Sequence, residues 1–279
     1  MVEVSNDYTD KKMIHYYKTT IQYDGTGYAG FQWQNGIPTI QNDFNLAIKT
    51  ILTGKVTTMG ASRTDSGVHA LEQVVKISSQ NPINCTSFVM EINKIFPSQI
   101  RCLNIVPCHW DFKPASDPIY KEYRYYFTNF KNIPLPNDRR FISNFSMPLD
   151  MKLISHCVQN LLGPHDFCNF TCTGSNVKST VREILFCELL EINPQTIFAN
   201  SELFTIPKNL TSTYQLKIIG NGFLKQMIRN IISALWIVGS GKLNAEEFIK
   251  LLNGPKNEKR LWKVAPPNGL FLYQIKYPK

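Results

Sequence analysis

Extended and amphipathic helical segments alternate along this chain, and their order is similar in its two halves. In the first half, segments rich in Tyr, Thr and β-branched residues alternate with segments whose apolar residues recur every three or four positions. The predicted elements are strands at 14–23 and 71–77 and helices at 39–51 and about 87–96. The first half is therefore predicted to run strand, helix, strand, helix, strand.

The second half contains the same mixture of elements. Residues 120–128 alternate strongly, which predicts a strand with Tyr123, Tyr125 and Phe127 on one face. The other predicted strands lie at 180–192, 214–219 and 270–277, and the predicted helices at 150–162, 223–238 and 244–252. Asn244 opens the last helix in a pattern that resembles a capping box.

The similar order of elements suggests a duplicated α+β unit, although no repeat is evident residue by residue. At 279 residues the chain is long enough for two modest domains or one large one. We predict a loose polar segment at 1–12, an N-terminal subdomain at 13–113 and a C-terminal subdomain at 114–279.

Bulk composition narrows the partners and the compartment. Thirty Lys and Arg residues against 21 Asp and Glu residues give a net charge of +9, which favours a polyanionic partner but also fits a merely basic enzyme. The seven cysteines lack paired metal-ligand spacing, so reduced thiols and no metal are expected. No segment approaches the ~20 apolar residues of a membrane span, and the start lacks a signal-peptide pattern, which favours a cytoplasmic protein without a membrane partner.

The stretch at 59–70 is the strongest candidate for a functional loop. Arg63, Asp65 and His69 lie there among small residues, just before the predicted strand at 71–77. Small residues allow the backbone to turn sharply and a ligand to come close. Taken alone, an Arg two positions before an Asp is more commonly local charge compensation than a catalytic pair.

The sequence Arg-Thr-Asp-Ser-Gly-Val-His-Ala at 63–70 closely resembles the catalytic loop of the tRNA pseudouridine synthase A family. Further segments that agree with this family, in its order, lie at 23–32, 121–125, 163–167, 222–230 and 265–270. Two positions depart from its usual pattern: Ser62 stands where the family normally has Gly, and Ser66 where it has Ala. If position 62 required a positive φ, Ser would cost on the order of 1 kcal/mol.

The resemblance implies an α+β fold in which two similar α/β subdomains, with largely antiparallel sheets, merge around a central cleft. It also implies isomerisation of uridine to pseudouridine at positions 38, 39 and 40 in the anticodon stem-loop of tRNAs. The members of the family act as homodimers on tRNA, so a homodimer is expected. The reaction needs no reductant, nucleotide or metal, so no cofactor is expected.

The resemblance assigns three catalytic residues. Asp65 is the expected nucleophile, and whether it attacks the base or the sugar stays open. Because burial disfavours a charged carboxylate, a nearby cation must keep it ionised, and Arg229 is the family's candidate. Tyr123 is expected to stack on the extracted uracil and to take or relay a proton, although a phenol with a pKa of ~10 is a poor base at neutral pH.

Substrate-binding roles are assigned to Arg63, Tyr123, Lys225 and His69. Arg63 matches the family residue thought to help displace the target base from its stack. Lys225 falls one helical turn from Arg229, on a face that either borders the cleft or is simply solvated. His69 either contacts the substrate or fixes the loop by hydrogen bonding.

Three alternatives remain open. The protein could be an RNA-binding module that kept the fold and lost catalysis. It could be a hydrolase with paired carboxylates, for which Glu72 and Asp24 are the nearby acids, although nothing marks either as a partner of Asp65. For His165 and Asp166, we favour a helix-terminal turn over a catalytic pair.

Overall fold

The structure is a computed structural model that describes residues 13–278, except 130–132, 135, 137, 173–176, 199–202, 205–212 and 258–259. The strands are β1 (His15–Tyr23), β2 (Val56–Gly60), β3 (His69–Ser79), β4 (Ile100–Pro107), β5 (Tyr120–Thr128), β6 (Ser143–Asn144), β7 (Gly163–Asp166), β8 (Val181–Ile192), β9 (Thr213–Gly220) and β10 (Leu270–Lys276). The helices are α1 (Ile40–Ile51), α2 (Cys85–Ile95), α3 (Met151–Gln159), α4 (Met227–Gly239) and α5 (Ala245–Asn253). The segment predicted to be loose, 1–12, lies outside the described residues.

The strands form one mixed sheet in the order β4-β1-β3-β10-β5-β9-β8-β7, with β2 on β3 and β6 on β5. Neighbouring strands along this order are antiparallel except where β10 meets β3, and β6 is parallel to β5. The parallel contact between β3 and β10 consists of two residue pairs, Phe271 with His69 and Leu272 with Ala70. The α+β class and the largely antiparallel sheet are therefore confirmed.

Local sequence signals fixed several element boundaries correctly. The hydroxyl of Thr39 caps α1 by accepting the Asn42 N–H at 3.2 Å. At the start of α5, Asn244 and Glu247 form the predicted capping box. The strand at 120–128 has the predicted bounds. These features depend on side chains within a few residues of each other, which a sequence displays directly.

Aromatic side chains of β5 pack on both faces of the sheet. The ring of Trp236, on α4, lies 6.0 Å from Tyr125 and 5.6 Å from Phe127. Tyr126 points the other way and packs edge-on against Phe271 at 5.5 Å. The predicted alternation is confirmed, and Tyr123 continues the Tyr125 face towards the start of the strand.

Predictions in both halves of the chain are wrong. The predicted helix at 223–238 begins only at Met227, because Gln226 adopts a left-handed conformation with φ of 61°. Lys225 therefore precedes the helix and does not share a helical face with Arg229. The first half also contains β2, whose last residues had been assigned to the functional loop.

The predicted turn at His165 and Asp166 is also wrong. Helix α3 ends at Gln159, and both residues lie on β7, where they pair with Arg182 and Val181 of β8. The imidazole of His165 lies within hydrogen-bonding distance of Asn253 and of the Leu162 carbonyl. The strand pairing and these hydrogen bonds indicate a structural role for His165 and Asp166. Within the described residues, no helix is long and apolar enough to cross a membrane.

Candidate active site

Asp65 lies on the loop between β2 and β3, and side chains of the neighbouring strands hold that loop. The amide of Gln73, which is fully buried, donates to the Ser62 carbonyl at 2.7 Å and accepts the Ser62 N–H at 3.2 Å. The hydroxyls of Tyr23 and Thr64 lie 2.8 Å apart. Because each bond is at least partly buried, loosening the loop would leave polar groups without partners.

The glycine-containing loop after β1 packs against the other side of the Asp65 loop. The Phe31 N–H donates to the Thr64 carbonyl at 3.2 Å, and the Gly67 N–H donates to the Tyr28 carbonyl at 3.2 Å. Gly30 has φ of +112°, and a Cβ there would lie 2.6 Å from the Thr64 carbonyl oxygen. A glycine is therefore required for this close approach of two backbones.

Asp65 forms an ion pair with Arg229 from the first turn of α4. The guanidinium Nη1 donates to the Asp65 carboxylate at 3.2 Å, and the two side chains are 12% and 16% exposed, respectively. The Nε of Arg229 donates to the Ala265 carbonyl at 2.7 Å, and the Ala265 N–H donates to the Arg229 carbonyl at 3.3 Å. The two residues thus meet as expected, in a pair that is shielded but still accessible.

Tyr123 projects from β5 towards the same loop. Its hydroxyl lies 2.8 Å from the Ser62 hydroxyl, and its ring meets Phe223 edge-on at 5.1 Å. Burial raises the pKa of Tyr123 to about 12, the hydrogen bond with Ser62 opposes the rise, and the charge of Asp65 adds to it. At neutral pH this phenol retains its proton, so it can donate a hydrogen bond but is a weak base.

Ser62 does not adopt the strained conformation considered above. Within the described residues, Gln226 is the one non-glycine residue with a positive φ. The Ser62 side chain instead bonds to Tyr123, a contact that sequence reasoning missed. Its only signal in the sequence was the departure of position 62 from the glycine that is usual in the family.

Arg63 and Lys225 are exposed cations beside the site. Within the described residues no ion pair joins Arg63 to Asp65, so local charge compensation does not account for the pair. The Lys225 carbonyl accepts the Cys172 N–H at 3.2 Å and the Thr171 hydroxyl at 3.4 Å, which fixes its backbone and leaves its ammonium group in solvent. Both side chains are free to reach a polyanion.

His69 is fully buried and stacks on Phe271 at 4.6 Å. Its Nδ1 lies 3.0 Å from the Asp24 carboxylate and 3.1 Å from the Gly25 N–H. One nitrogen cannot donate to the first and accept from the second at once, so the tautomer decides which bond forms. This geometry matches the loop-fixing alternative, and a direct contact with substrate would require His69 to leave its packing.

The acids named for a hydrolase are engaged elsewhere. Asp24 is 2% exposed, forms an ion pair with Arg140 and accepts the Thr26 N–H at 2.9 Å. Burial would raise the pKa of Asp24, but hydrogen bonds and charge from His69, with the Thr26 bonds, lower it to about 2. Burial raises the pKa of Glu72. Neither Asp24 nor Glu72 pairs with the Asp65 carboxylate within the described residues.

Two supports of the site were missed from the sequence. Lys121 donates from Nζ to the Ala61 carbonyl at 2.7 Å, and burial lowers the pKa of Lys121 to about 8. Its position two residues before Tyr123 on an alternating strand could have identified it. Gly67 has φ of +73°, and a Cβ there would lie 2.8 Å from Pro267, two residues after the Ala265 partner of Arg229.

The described residues contain no group of three His, Cys, Asp or Glu side chains suited to a metal, and the seven cysteines are free.

Comparison with known proteins gives concordant results. A family model described as tRNA pseudouridine synthase matches residues 157–278. A protein of Thermoanaerobacter sp., named tRNA pseudouridine synthase A, is 32% identical over 257 residues, covering 92% of this chain and 97% of its own. Proteins of the same name from Acetivibrio thermocellus and Listeria innocua are 32% and 30% identical, covering 93% and 94% of this chain and 98% of each relative.

Proposed function

The chain belongs to the tRNA pseudouridine synthase A family, and from this premise we propose that the Asp65 site converts uridine to pseudouridine at positions 38, 39 and 40 of the tRNA anticodon stem-loop. Membership makes the protein an isomerase that acts on tRNA. The observation that supports the site assignment is the Asp65–Arg229 ion pair beside Tyr123. Three separate elements of the fold contribute these side chains.

The reaction breaks the N-glycosidic bond of uridine, turns the base and joins its carbon to the same sugar. In our proposal Asp65 supplies the electron pair of a transient bond, either to the sugar carbon or to the base, and this bond breaks again before the product leaves. The ring carbon that joins the sugar then loses its proton, and the ring nitrogen released from the sugar takes one up. No atoms are gained or lost overall. Arg229 holds the carboxylate in position and compensates its charge, so the nucleophile is oriented before the base arrives.

Tyr123 serves in this proposal as the surface on which the extracted uracil stacks. Base stacking on an aromatic ring contributes about 1–3 kcal/mol. The raised pKa of Tyr123 favours stacking and hydrogen-bond donation over proton abstraction at neutral pH. Arg63 would occupy the space that the flipped base vacates, which offsets part of a cost of a few kcal/mol. Lys225 would contact phosphate, and any role of His69 in binding would act through the loop.

We extend the proposal to the organisation of the protein. The two subdomains, 13–113 and 114–279, would meet where β3 and β10 share only two residue pairs, and this narrow contact supports such a boundary. The net charge of +9 supports binding to a folded RNA through its phosphates. A homodimer acting in the cytoplasm, with one tRNA lying across both subunits, completes the proposal.

The test is incubation with unmodified tRNA, followed by mapping of every isomerised uridine. Pseudouridine confined to positions 38–40 is the expected result. Tight tRNA binding without product at any position would instead favour an RNA-binding module without catalysis. Product at other positions would contradict the assigned specificity while leaving the chemistry intact.

A further inference from the structure

A cavity lies beside the segment that holds Arg229. Its volume is about 720 Å³, within the range of small-ligand sites. The wall consists of the 3-10 turn Phe167–Phe170, the end of α5 and the segment that leads to Ala265. Asp65, Tyr123 and Arg229 do not line it. The cavity is therefore distinct from the proposed catalytic site, although it is close to it along the chain.

The charged residues that line this cavity are cationic in the part of the chain that the structure describes. There, Lys256, Arg260 and Lys263 line it, and no Asp or Glu does. Within the part of the chain that the structure describes, none of the three forms an ion pair with a carboxylate. One acid, Asp166, lies near the cavity: burial raises the pKa of the Cys168 thiol, the charge of Asp166 raises it further, and the charge of Lys256 lowers it. The Asp166 carboxylate also accepts hydrogen bonds from the Thr180 hydroxyl and the Cys168 N–H. Among the described lining residues, positive charge therefore exceeds negative charge.

The wall of the cavity is held by buried polar bonds. Asn169, 7% exposed, donates to the Leu251 carbonyl at 3.0 Å and accepts the Asn257 N–H at 2.7 Å. The indole of Trp262 donates to Asn230 at 3.3 Å. Because these bonds fix the backbone around the cavity, the site is largely formed without a ligand.

Aromatic and apolar surface accompanies the charge. The Trp262 ring is buried against Phe170, stacked at 5.6 Å, and the neighbouring Leu261 is 61% exposed. Arg260 donates to the Thr171 carbonyl, so its guanidinium is fixed at the rim. Cations next to apolar surface and amides suit a nucleotide, which has a phosphate, a sugar and a base.

Two residues that line the cavity are linked through the chain to the segments that carry Arg229 and Lys225. Val264 lines the cavity and precedes Ala265, which bonds to Arg229. Thr171 lines it as well, and its hydroxyl donates to the carbonyl of Lys225. A ligand in the cavity would therefore lie against the segment that holds Arg229.

We propose that this cavity binds a nucleotide that flanks the target uridine in the same tRNA, with Lys256 and Lys263 contacting its phosphate. The inference rests on the proposed function, because it needs a tRNA in the Asp65 site. Arg260 shapes the rim through Thr171, and Trp262 supports the floor.

The test replaces the two exposed lysines, Lys256→Gln with Lys263→Gln, and leaves Arg260 intact. Affinity for unmodified tRNA should fall roughly tenfold at moderate salt. The slope of log affinity against log salt should become shallower by about 1 to 2, as expected when one or two phosphate contacts are lost. The control, Lys49→Gln with Lys94→Gln, removes the same charge from α1 and α2 and should change affinity less than twofold.

Three results would overturn the proposal. One is wild-type affinity and salt dependence in the double variant, and another is an equal loss in the control, which would indicate a general charge effect. The third is binding of uridine monophosphate or inorganic phosphate that the double variant loses while tRNA binding is unchanged, because the site would then serve a free anion. Asp65→Asn separates the two proposals: an active Asp65→Asn variant contradicts the catalytic assignment, whereas the binding measurements do not depend on turnover.

Discussion

The two sides of the Asp65–Arg229 ion pair are held in different ways. On the acid side, Gln73, Tyr23 and the backbone around Tyr28 bond the loop at several successive residues. On the cation side, Arg229 lies in the first turn of α4, which has no side-chain cap. Apart from Asp65, its guanidinium bonds to the Ala265 carbonyl. Asp65 is therefore held by dense local bonding, whereas the position of Arg229 depends on packing between distant parts of the chain.

The difference has a consequence for catalysis. A loop with bonded backbone groups on both sides keeps the carboxylate in one orientation before substrate arrives, which lowers the entropic cost of reaction. On the Arg229 side, the position of the guanidinium depends on the bond to Ala265 and on the packing of α4. Variants on the acid side should therefore reduce stability and activity together. Variants on the cation side should reduce activity much more than stability.

The largest effect is expected from Arg229→Met. Loss of the positioned guanidinium should lower the single-turnover rate roughly 10²- to 10³-fold, as for loss of a preorganised electrostatic donor. The melting temperature should also fall, because the Ala265 carbonyl and the shielded Asp65 carboxylate lose their partner, but the rate should fall far more than this loss of stability explains. Arg229→Lys keeps the charge but lacks the planar guanidinium, so its single-turnover rate should lie between those of the wild type and Arg229→Met. Full turnover by the Met variant would refute the role of Arg229.

Gln73→Leu tests the acid side. The substitution leaves the Ser62 N–H and carbonyl without partners, and each unsatisfied buried group costs about 1–3 kcal/mol. We expect the free energy of unfolding to fall by about 2–4 kcal/mol and turnover to fall with it, as measured by urea denaturation and single-turnover kinetics. Loss of activity at unchanged stability would show that the loop is not held as described.

The buried ammonium of Lys121 predicts a pH dependence. Burial lowers the pKa of Lys121 to about 8 in the folded protein, against 10.5 as the ordinary value, so the unfolded chain binds more protons between these limits. The stability of the wild type relative to Lys121→Met should therefore rise from pH 8 to about pH 10.5, by on the order of 3 kcal/mol. A constant difference across this range would indicate that the lysine is solvated.

Ser62→Gly and Ser62→Ala test the bond to Tyr123. A hydrogen bond of this kind contributes about 1 kcal/mol, so each variant should lower the single-turnover rate about fivefold. Because the Ser62 bond opposes the rise, its removal should also move the pKa of Tyr123 further upward. If glycine restored wild-type rates and alanine did not, backbone conformation rather than the hydroxyl would be the cause.

The smallest expected effect is a gain in stability, from Gln226→Gly. Gln226 has φ of 61°, a conformation that glycine adopts without strain. Gln226→Gly should therefore stabilise the protein by about 0.5–1 kcal/mol in thermal or urea unfolding. A destabilised variant would show that the Gln226 side chain makes a larger contribution than its backbone strain.

The sequence predicted best what neighbouring residues determine. The Thr39 cap and the alternation of β5 depend on spacing within a few residues. Asp65 and Arg229 are 164 positions apart, and only the resemblance to a family suggested that they meet. The start of α4 was missed because the apolar arc continues through Gln226, whose positive φ leaves no trace in an apolar pattern.

The most direct measurement is the amount of pseudouridine that Asp65→Asn forms in unmodified tRNA under single-turnover conditions, with tRNA affinity measured in parallel. Asn keeps the shape of the side chain and removes its charge and its nucleophilic carboxylate. We expect no product above background and an affinity within a few-fold of the wild type. Pseudouridine formed at the wild-type rate would contradict the account.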